Sequence, residues 1–152
     1  MSIAVHTMEY YGGLVVAPST PVQPYFDHYY TSYKAVYEAC FHEMRKALGL
    51  EPIDDCHPRE ELISKQNSIW VLLKDEVLIG AVSINENEID DLIVRKECQR
   101  KGYGTSLLNF AIHTMQVRGI SPIILRVTDW NKNAMDLYLK NHFKIVKTET
   151  FL

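Results

Sequence analysis

The chain has 152 residues, a net charge of −3 and a hydrophobic share of 47%. That length suits one domain with a single core of ordinary size, and the composition fits a globular fold rather than disorder. The mild acidity excludes a broad nucleic-acid face, which needs a strong basic excess, so any anion binding must be local.

No stretch approaches the ~18 apolar residues of a membrane span. The opening segment, MSIAVHTMEYYGG, has neither a basic leader nor a long apolar run. Cys40, Cys56 and Cys98 lie far apart without CxxC spacing. An odd count of cysteines and no leader together predict reduced thiols and a cytoplasmic location.

In chain order, GGLVVAPS predicts a first strand. From Phe26, ring-bearing and apolar residues recur at Tyr29, Tyr30, Tyr33, Val36, Tyr37, Cys40, Phe41, Met44 and Leu48. This three-to-four spacing predicts an amphipathic helix that stops at Gly49. LEPIDDCHPRE reads as a loop and REELISKQ as a short helix. SIWVLLKD and EVLIGAVSIN predict a hairpin around a charged turn, and EIDDLIV adds a strand. A helix follows to about Arg118, with Gly119 placed as its C-cap. PIILRVT predicts a strand, NKNAMDLYLKN a short helix and HFKIVKTETFL a final strand. The order β, α, α, β, β, β, α, β, α, β implies an α/β (α+β) fold. The hairpin pairs antiparallel, the strand–helix–strand unit gives a right-handed parallel pair, and helices cover both faces of a mixed sheet.

Between EIDDLIV and its following helix lies QRKGYG, Gln99 to Gly104. A loop there offers unpaired N–H groups and the positive end of a helix dipole, and its glycines allow close approach to a ligand. Arg100 and Lys101 add charge, so the physical preference is for a phosphate-like group. A dinucleotide fingerprint would need glycine where Leu107 stands, and a Walker loop would need a lysine after Gly104, where Thr105 stands.

LIVRKECQRKGYGTSLL resembles the acetyl-coenzyme A signature of the GNAT superfamily of N-acetyltransferases, with Gln99, Gly102 and Gly104 at its Gln/Arg-x-x-Gly-x-Gly/Ala core. NKNAMDLYLKNHFKIV resembles the second conserved block of that superfamily. The resemblance is strong from Ser68 to Phe151 and covers the N-terminal third only through element order. Lys96 stands where many members carry proline, a departure that touches the strand exit rather than the chemistry.

The resemblance implies one GNAT domain over residues 1–152 with the acyl-CoA N-acyltransferase fold: a mostly antiparallel sheet whose parallel pair splays at the coenzyme site. It implies direct acetyl transfer from acetyl-CoA, as co-substrate, to an amine. The pantetheine arm would pair with backbone at Leu92, Ile93 and Val94. The pyrophosphate would rest on the loop of Gln99, Arg100, Lys101, Gly102, Tyr103, Gly104 and Thr105. Asn131 and Asn133 are coenzyme contacts by resemblance, although Asn131 is equally a good helix N-cap.

An amine nucleophile is protonated in water, and with a lysine-like pKa of ~10.4 its neutralisation near pH 7 costs about 4–5 kcal/mol. A carboxylate base would assist. Glu88 occupies the position of the base in histone-acetylating members, and Asp90 is the second candidate. Strand alternation places both on one face with Leu92 and Val94, and turns Asp91 away unless a bulge intervenes. Tyr138 matches the family tyrosine that protonates the leaving thiolate, and it also falls on a helical core stripe.

The acceptor side is expected in the first helices, where Tyr29, Tyr30 and Tyr33 cannot all point one way, so that some line a pocket. With Asp27, Asp54 and Asp55 they would suit a cationic small-molecule amine. A protein or peptide acceptor and a catalytically silent coenzyme-binding module are the competing readings. Neither Cys40 with His42 nor the Asp54–Pro58 cluster makes a four-ligand metal set, so no metal is expected. His113 lies off the apolar stripe and is expected in solvent. A homodimer is expected only because relatives commonly form one.

Overall fold

The structure, a computed structural model, describes residues 2–152. Its strands are β1 (Ile3–Tyr10), β2 (Val22–Pro24), β3 (Ile69–Lys74), β4 (Val77–Asn85), β5 (Glu88–Val94), β6 (Ile124–Thr128) and β7 (Phe143–Phe151). Its helices are α1 (Tyr30–Ala47), α2 (Arg59–Ser64), α3 (Tyr103–Val117) and α4 (Lys132–Lys140). One sheet of seven strands runs in the order β2-β3-β4-β5-β6-β1-β7. Every neighbouring pair is antiparallel except β5 and β6, which are joined through α3 and run parallel. The mixed sheet with helices on both faces is what the element order implies, and its mostly antiparallel pairing with one parallel pair is what the family resemblance implies.

Two apolar layers sandwich the sheet. Leu107, Leu108, Ala111, Ile112 and Met115 of α3 recur at helical spacing and pack on Met8, Leu72, Ile79, Val82, Ile84 and Leu125. On the opposite face Tyr33 and Val36 of α1 and Leu62 of α2 pack on Ile69, Val71, Leu78, Ala81 and Ile93. Strand β4 is buried on both faces from Leu78 to Ile84, and its VLIGAVSI run is apolar without alternation for that reason. Gly49 and Gly119 follow α1 and α3 with φ of +68° and +70°, as the helix stops require.

Two expectations are corrected. GGLVVAPS is not a strand; the first strand is IAVHTMEY, seated between β6 and β7 where both of its edges find partners. Residues 13–15 are instead tied to α3 by side chains: Val15 N–H donates to Gln116 Oε1 at 2.9 Å, and Gln116 Nε2 donates to the Gly13 carbonyl at 3.1 Å. His113, expected in solvent, completes this strap by donating from Nδ1 to the Val15 carbonyl at 2.8 Å. The short β2 was not anticipated, because its three residues lie among prolines and gain order only by pairing with β3.

Gly80 lies where β4 crosses under α3. A methyl group built on it would meet the Ile93 carbonyl oxygen and a Leu107 methyl, both at 2.8 Å. The first of these is backbone and cannot yield without opening the β4–β5 ladder. Gly80→Ala is therefore expected to destabilise the fold by about 1–3 kcal/mol, the usual cost of overpacking. Equilibrium denaturation of both proteins measures it.

Candidate active site

The site begins with an irregularity in β5. Ala81 pairs with Ile93, whereas Ser83 pairs with Asp90, so β5 carries one extra residue opposite β4. This bulge is centred on Asp91, whose φ is +47°, a conformation that aspartate tolerates better than most residues. Ile89 packs in the α3 layer and Ile93 in the α1 layer, although simple alternation would put both on one face. The expectation that Glu88, Asp90, Leu92 and Val94 share a face is thereby corrected. Leu92 and Val94 pack toward α3, while Asp91 turns to meet α1.

The parallel pair separates where the bulge begins. Strands β5 and β6 pair only at Glu88–Ile124 and Ile89–Leu125. After these rungs β5 follows β4 to Val94, and β6 follows β1 to Thr128. Arg95 N–H donates to the Ile79 carbonyl on β4 at 2.7 Å. By alternation Ile93 also faces β4, so the main-chain groups of Leu92 and Val94 face the opening. A cavity of about 440 Å³ occupies the divergence, walled by Leu92, Asp90 and Asp91 of β5, Tyr37 and Phe41 of α1, and Tyr138 of α4.

At the end of β5 stands the glycine loop. Gly102 is the N-cap of α3 with φ of +88° and has no side chain with which to cap. Ser106 N–H bonds back to the Gly102 carbonyl at 3.0 Å, so the N–H groups of Tyr103, Gly104 and Thr105 have no partner within the helix. Arg100 (φ +63°) and Lys101 are exposed beside them. Gln99 uses its side-chain amide internally, donating to the Val94 carbonyl at 2.9 Å. Asn131 caps α4, its Oδ1 accepting from Ala134 N–H at 3.2 Å, and it also borders the cavity; Asn133 is exposed.

The acids divide sharply. Glu88 is held in a two-pronged pair with Arg126, at 2.9 and 3.2 Å. Asp91 accepts from Tyr37 OH at 3.2 Å and from His57 Nε2 at 2.8 Å. His57 Nδ1 lies 3.3 Å from Glu61, so both ring nitrogens face carboxylates, which only accept. The hydrogen bond that His57 donates to Asp91 raises its pKa against the opposing effect of burial, with the charges of Asp91 and Glu61 adding to the rise. Asp90 also borders the cavity with its side chain still open to solvent, and partial loss of hydration followed by the neighbouring Asp91 charge pushes its carboxyl up. Tyr138 is raised chiefly by burial and further by the charge of Asp90.

The tyrosines expected at a pocket lie elsewhere. Tyr33 is buried in the α1 layer, Tyr29 bonds with the Gln23 side chain, and Tyr30 lies under the Arg59 guanidinium at 5.3 Å. Tyr37 and Phe41, farther along the same stripe, reach the cavity instead. Of the three loop acids, only Asp55 borders it; Asp27 pairs with Arg59 and Asp54 bonds His42 at 2.7 Å. Tyr37, His57 and Asp91 are the residues that sequence reasoning passed over. The signal for Asp91 was its neighbour Asp90, which made a bulge the only way to keep both acids out of the α3 layer.

The divergent parallel pair, the glycine-capped helix and the cavity between them match the acyltransferase fold that the sequence resemblance implies. Residues 27–143 match the model of the acetyltransferase (GNAT) family. The chain belongs to the GNAT acetyltransferase family. It is similar to streptothricin acetyltransferase A of Bacillus subtilis, 34% identical over 79 residues that make up 49% of this chain and 46% of that protein. It is also similar to the thialysine N-epsilon-acetyltransferase of Bos taurus, 36% identical over 50 residues, 33% of this chain and 29% of that one. The chain thus spans less than half the length of these relatives. Its fold is similar to the PaiA N-acetyltransferase of Thermoplasma acidophilum, solved in complex with coenzyme A. There the TM-score is 0.67 at 19% identity, covering 82% of this chain and 89% of that one.

The His57 pair has a testable sign. Because its folded pKa is raised, its stabilisation is complete below the unfolded value of about 6.5 and is lost as pH rises through the folded value. The wild-type protein should lose stability across that window, and His57→Gln should lose correspondingly less. Denaturation midpoints of both proteins from acid to mildly alkaline pH make the comparison.

Proposed function

We propose that this chain transfers an acetyl group from acetyl-CoA directly to the primary amine of a small molecule, in the cytoplasm. The observation that carries the reading is the cavity between β5 and β6, with Tyr138 on one wall and the acids Asp90 and Asp91 on the other. The residues present fit the coenzyme. The strand edge at Leu92 has no β6 partner, and three successive N–H groups at the start of α3 are free of helix bonds. Leu92 and Val94 would hold the amide-bearing arm, with Ile93 serving through the strand rather than by contact. Tyr103, Gly104 and Thr105 would hold the pyrophosphate, Gly102 allowing the curl and Arg100 and Lys101 supplying charge. When bound, acetyl-CoA supplies the activated acetyl group and the thiolate leaving group. Similarity to proteins named as N-acetyltransferases supports this assignment.

Asp90 serves as the base that takes the ammonium proton. Its raised proton affinity brings it closer to neutral pH than an ordinary carboxyl, whereas Glu88 is engaged by Arg126. Asp91 and His57 hold the bulge and orient this wall. Tyr138 O–H donates to the departing sulfur, and its burial, which favours the protonated form, suits that role. Tyr37 and Phe41 with Asp55 offer ring faces and charge to a cationic amine. The walls contributed by α1, the loop at Asp55–Pro58 and α4 bound the cavity on several sides, which favours a small acceptor over an extended peptide.

A panel of small amines and lysine-bearing peptides, assayed for thiol release from acetyl-CoA, tests the reading; turnover with peptides alone overturns the acceptor class. Tyr138→Phe should lower kcat by roughly 10²-fold or more while leaving coenzyme affinity nearly unchanged. Asp90→Asn should lower kcat/KM and abolish the acid limb of its pH profile, a limb lying above the ordinary carboxylate range. Glu88→Gln should leave that limb in place.

A further inference from the structure

Six acidic and basic side chains border the cavity between β5 and β6: Arg45, Asp55, His57, Asp90, Asp91 and Arg126. Three of them are already partnered. Arg126 pairs with Glu88 at 2.9 Å, and His57 and Asp91 pair with each other at 2.8 Å. The other three have no ion-pair partner among the described residues. Arg45 is partly buried and donates from Nε to the Pro52 carbonyl at 2.9 Å, which leaves its terminal guanidinium nitrogens free. Asp55 is exposed. Asp90 accepts from the Asp91 N–H at 2.9 Å and from the Asn85 side-chain amide at 3.5 Å, and meets no cation.

Two elements set these free charges in order. Along α1, Tyr37, Phe41 and Arg45 recur at helical spacing and share a face. Tyr37 O–H reaches Asp91 at 3.2 Å, and Arg45 stands two turns farther on, about 12 Å along the helix axis. In the loop before α2, His57 is fixed on the same Asp91, Pro52 is fixed on Arg45, and Asp55 lies between them in the chain. Both walls therefore run from the acids of β5 toward Arg45. Phe41 and Met44 line the intervening stretch and carry no charge. Read from the reacting end outward, the free charges are negative at Asp90, negative at Asp55 and positive at Arg45.

We infer that the acceptor is a free diamino carboxylic acid, acetylated on the amine distant from its carboxylate. This rests on the cavity being the acetyl-transfer site proposed above, and it names which small amine enters. The α-carboxylate would take the free nitrogens of Arg45, whose planar fork matches two carboxylate oxygens. The α-ammonium would meet Asp55, the methylenes would lie along Phe41 and Met44, and the distal ammonium would meet Asp90. Asp90 takes one ammonium proton. The nitrogen then bonds the acetyl carbon as the carbon–sulfur bond breaks, and the thiolate leaves with the Tyr138 proton, which the surplus proton of the new amide nitrogen replaces. A simple diamine would set an ammonium against Arg45, and a lysine within a peptide has uncharged amides where both end charges are needed.

Thiol release from acetyl-CoA by the 152-residue chain, with free lysine, cadaverine and ε-aminocaproate as acceptors, tests this. Cadaverine lacks only the carboxylate, and ε-aminocaproate lacks only the α-ammonium. Each should fall below lysine in kcat/KM by roughly tenfold or more, because a charged group left without its partner rejects the analogue. Mass spectrometry of the product should place the acetyl group on Nε. Arg45→Gln should bring the lysine-to-cadaverine ratio down toward one, and Asp55→Asn should do the same for lysine against ε-aminocaproate. Disturbance of the loop alone would lower all three acceptors together and leave both ratios as they are. Cadaverine turned over as well as lysine, acetylation on Nα, or a ratio unmoved by Arg45→Gln overturns the inference and leaves the amine-acetyltransferase reading standing. No thiol release with any amine overturns that reading and this inference with it.

Discussion

One extra residue in β5 governs the arrangement around it. With strict alternation Asp91 would share the face of Ile89 and point into the layer beneath α3, beside Leu107 and Leu108. An unpaired carboxylate there would cost several kcal/mol after relaxation. The bulge at Asp91 turns that side chain through the sheet to Tyr37 and His57 and returns Leu92 and Val94 to the apolar side. It directly follows the last rung that β5 shares with β6, at Ile89, so the inversion and the opening occur together.

Around this irregularity the opposite charges brace rather than float. His57, between Asp91 and Glu61, ties the α1–α2 connection to β5. The pair of Glu88 and Arg126 spans the last paired rungs of β5 and β6. Behind them an aromatic column runs from Tyr25 through Tyr33 and Tyr37 to Phe41, with ring separations of 5.6, 5.9 and 4.8 Å. The column accounts for the tyrosine-rich first helix. Its inner members, Tyr25 and Tyr33, are core residues whose hydroxyls find no partner, and only its outer end reaches the cavity.

The parts of the site that were legible are the parts made of local backbone. QRKGYG predicts the glycine-capped start of α3 because its glycines, its position before a helix and its cations act within a few residues of one another. The second block, NKNAMDLYLKN, is equally local: Asn131 caps the helix that carries Tyr138. What alternation could not supply was the direction of each acid, since one inserted residue reverses a strand. His57 was set aside as part of a loop cluster, and its partners Asp91 and Glu61 come from a strand and from the next helix.

The same division holds for the fold. The helical spacing in α1 and α3, the β3–β4 hairpin and the β5–α3–β6 crossover are encoded in runs of neighbouring residues, and the sequence by itself determined them. The choice of IAVHTMEY over GGLVVAPS as the first strand was made only by the tertiary structure. Both segments are apolar enough for a strand, but a strand needs edges to bond with, and only the former has β6 and β7 beside it. The glycine loop was determined by sequence because its features are main-chain and contiguous. The cavity, its acids and its aromatic wall were decided by packing, because each side chain there comes from a different element and meets the others only across the sheet.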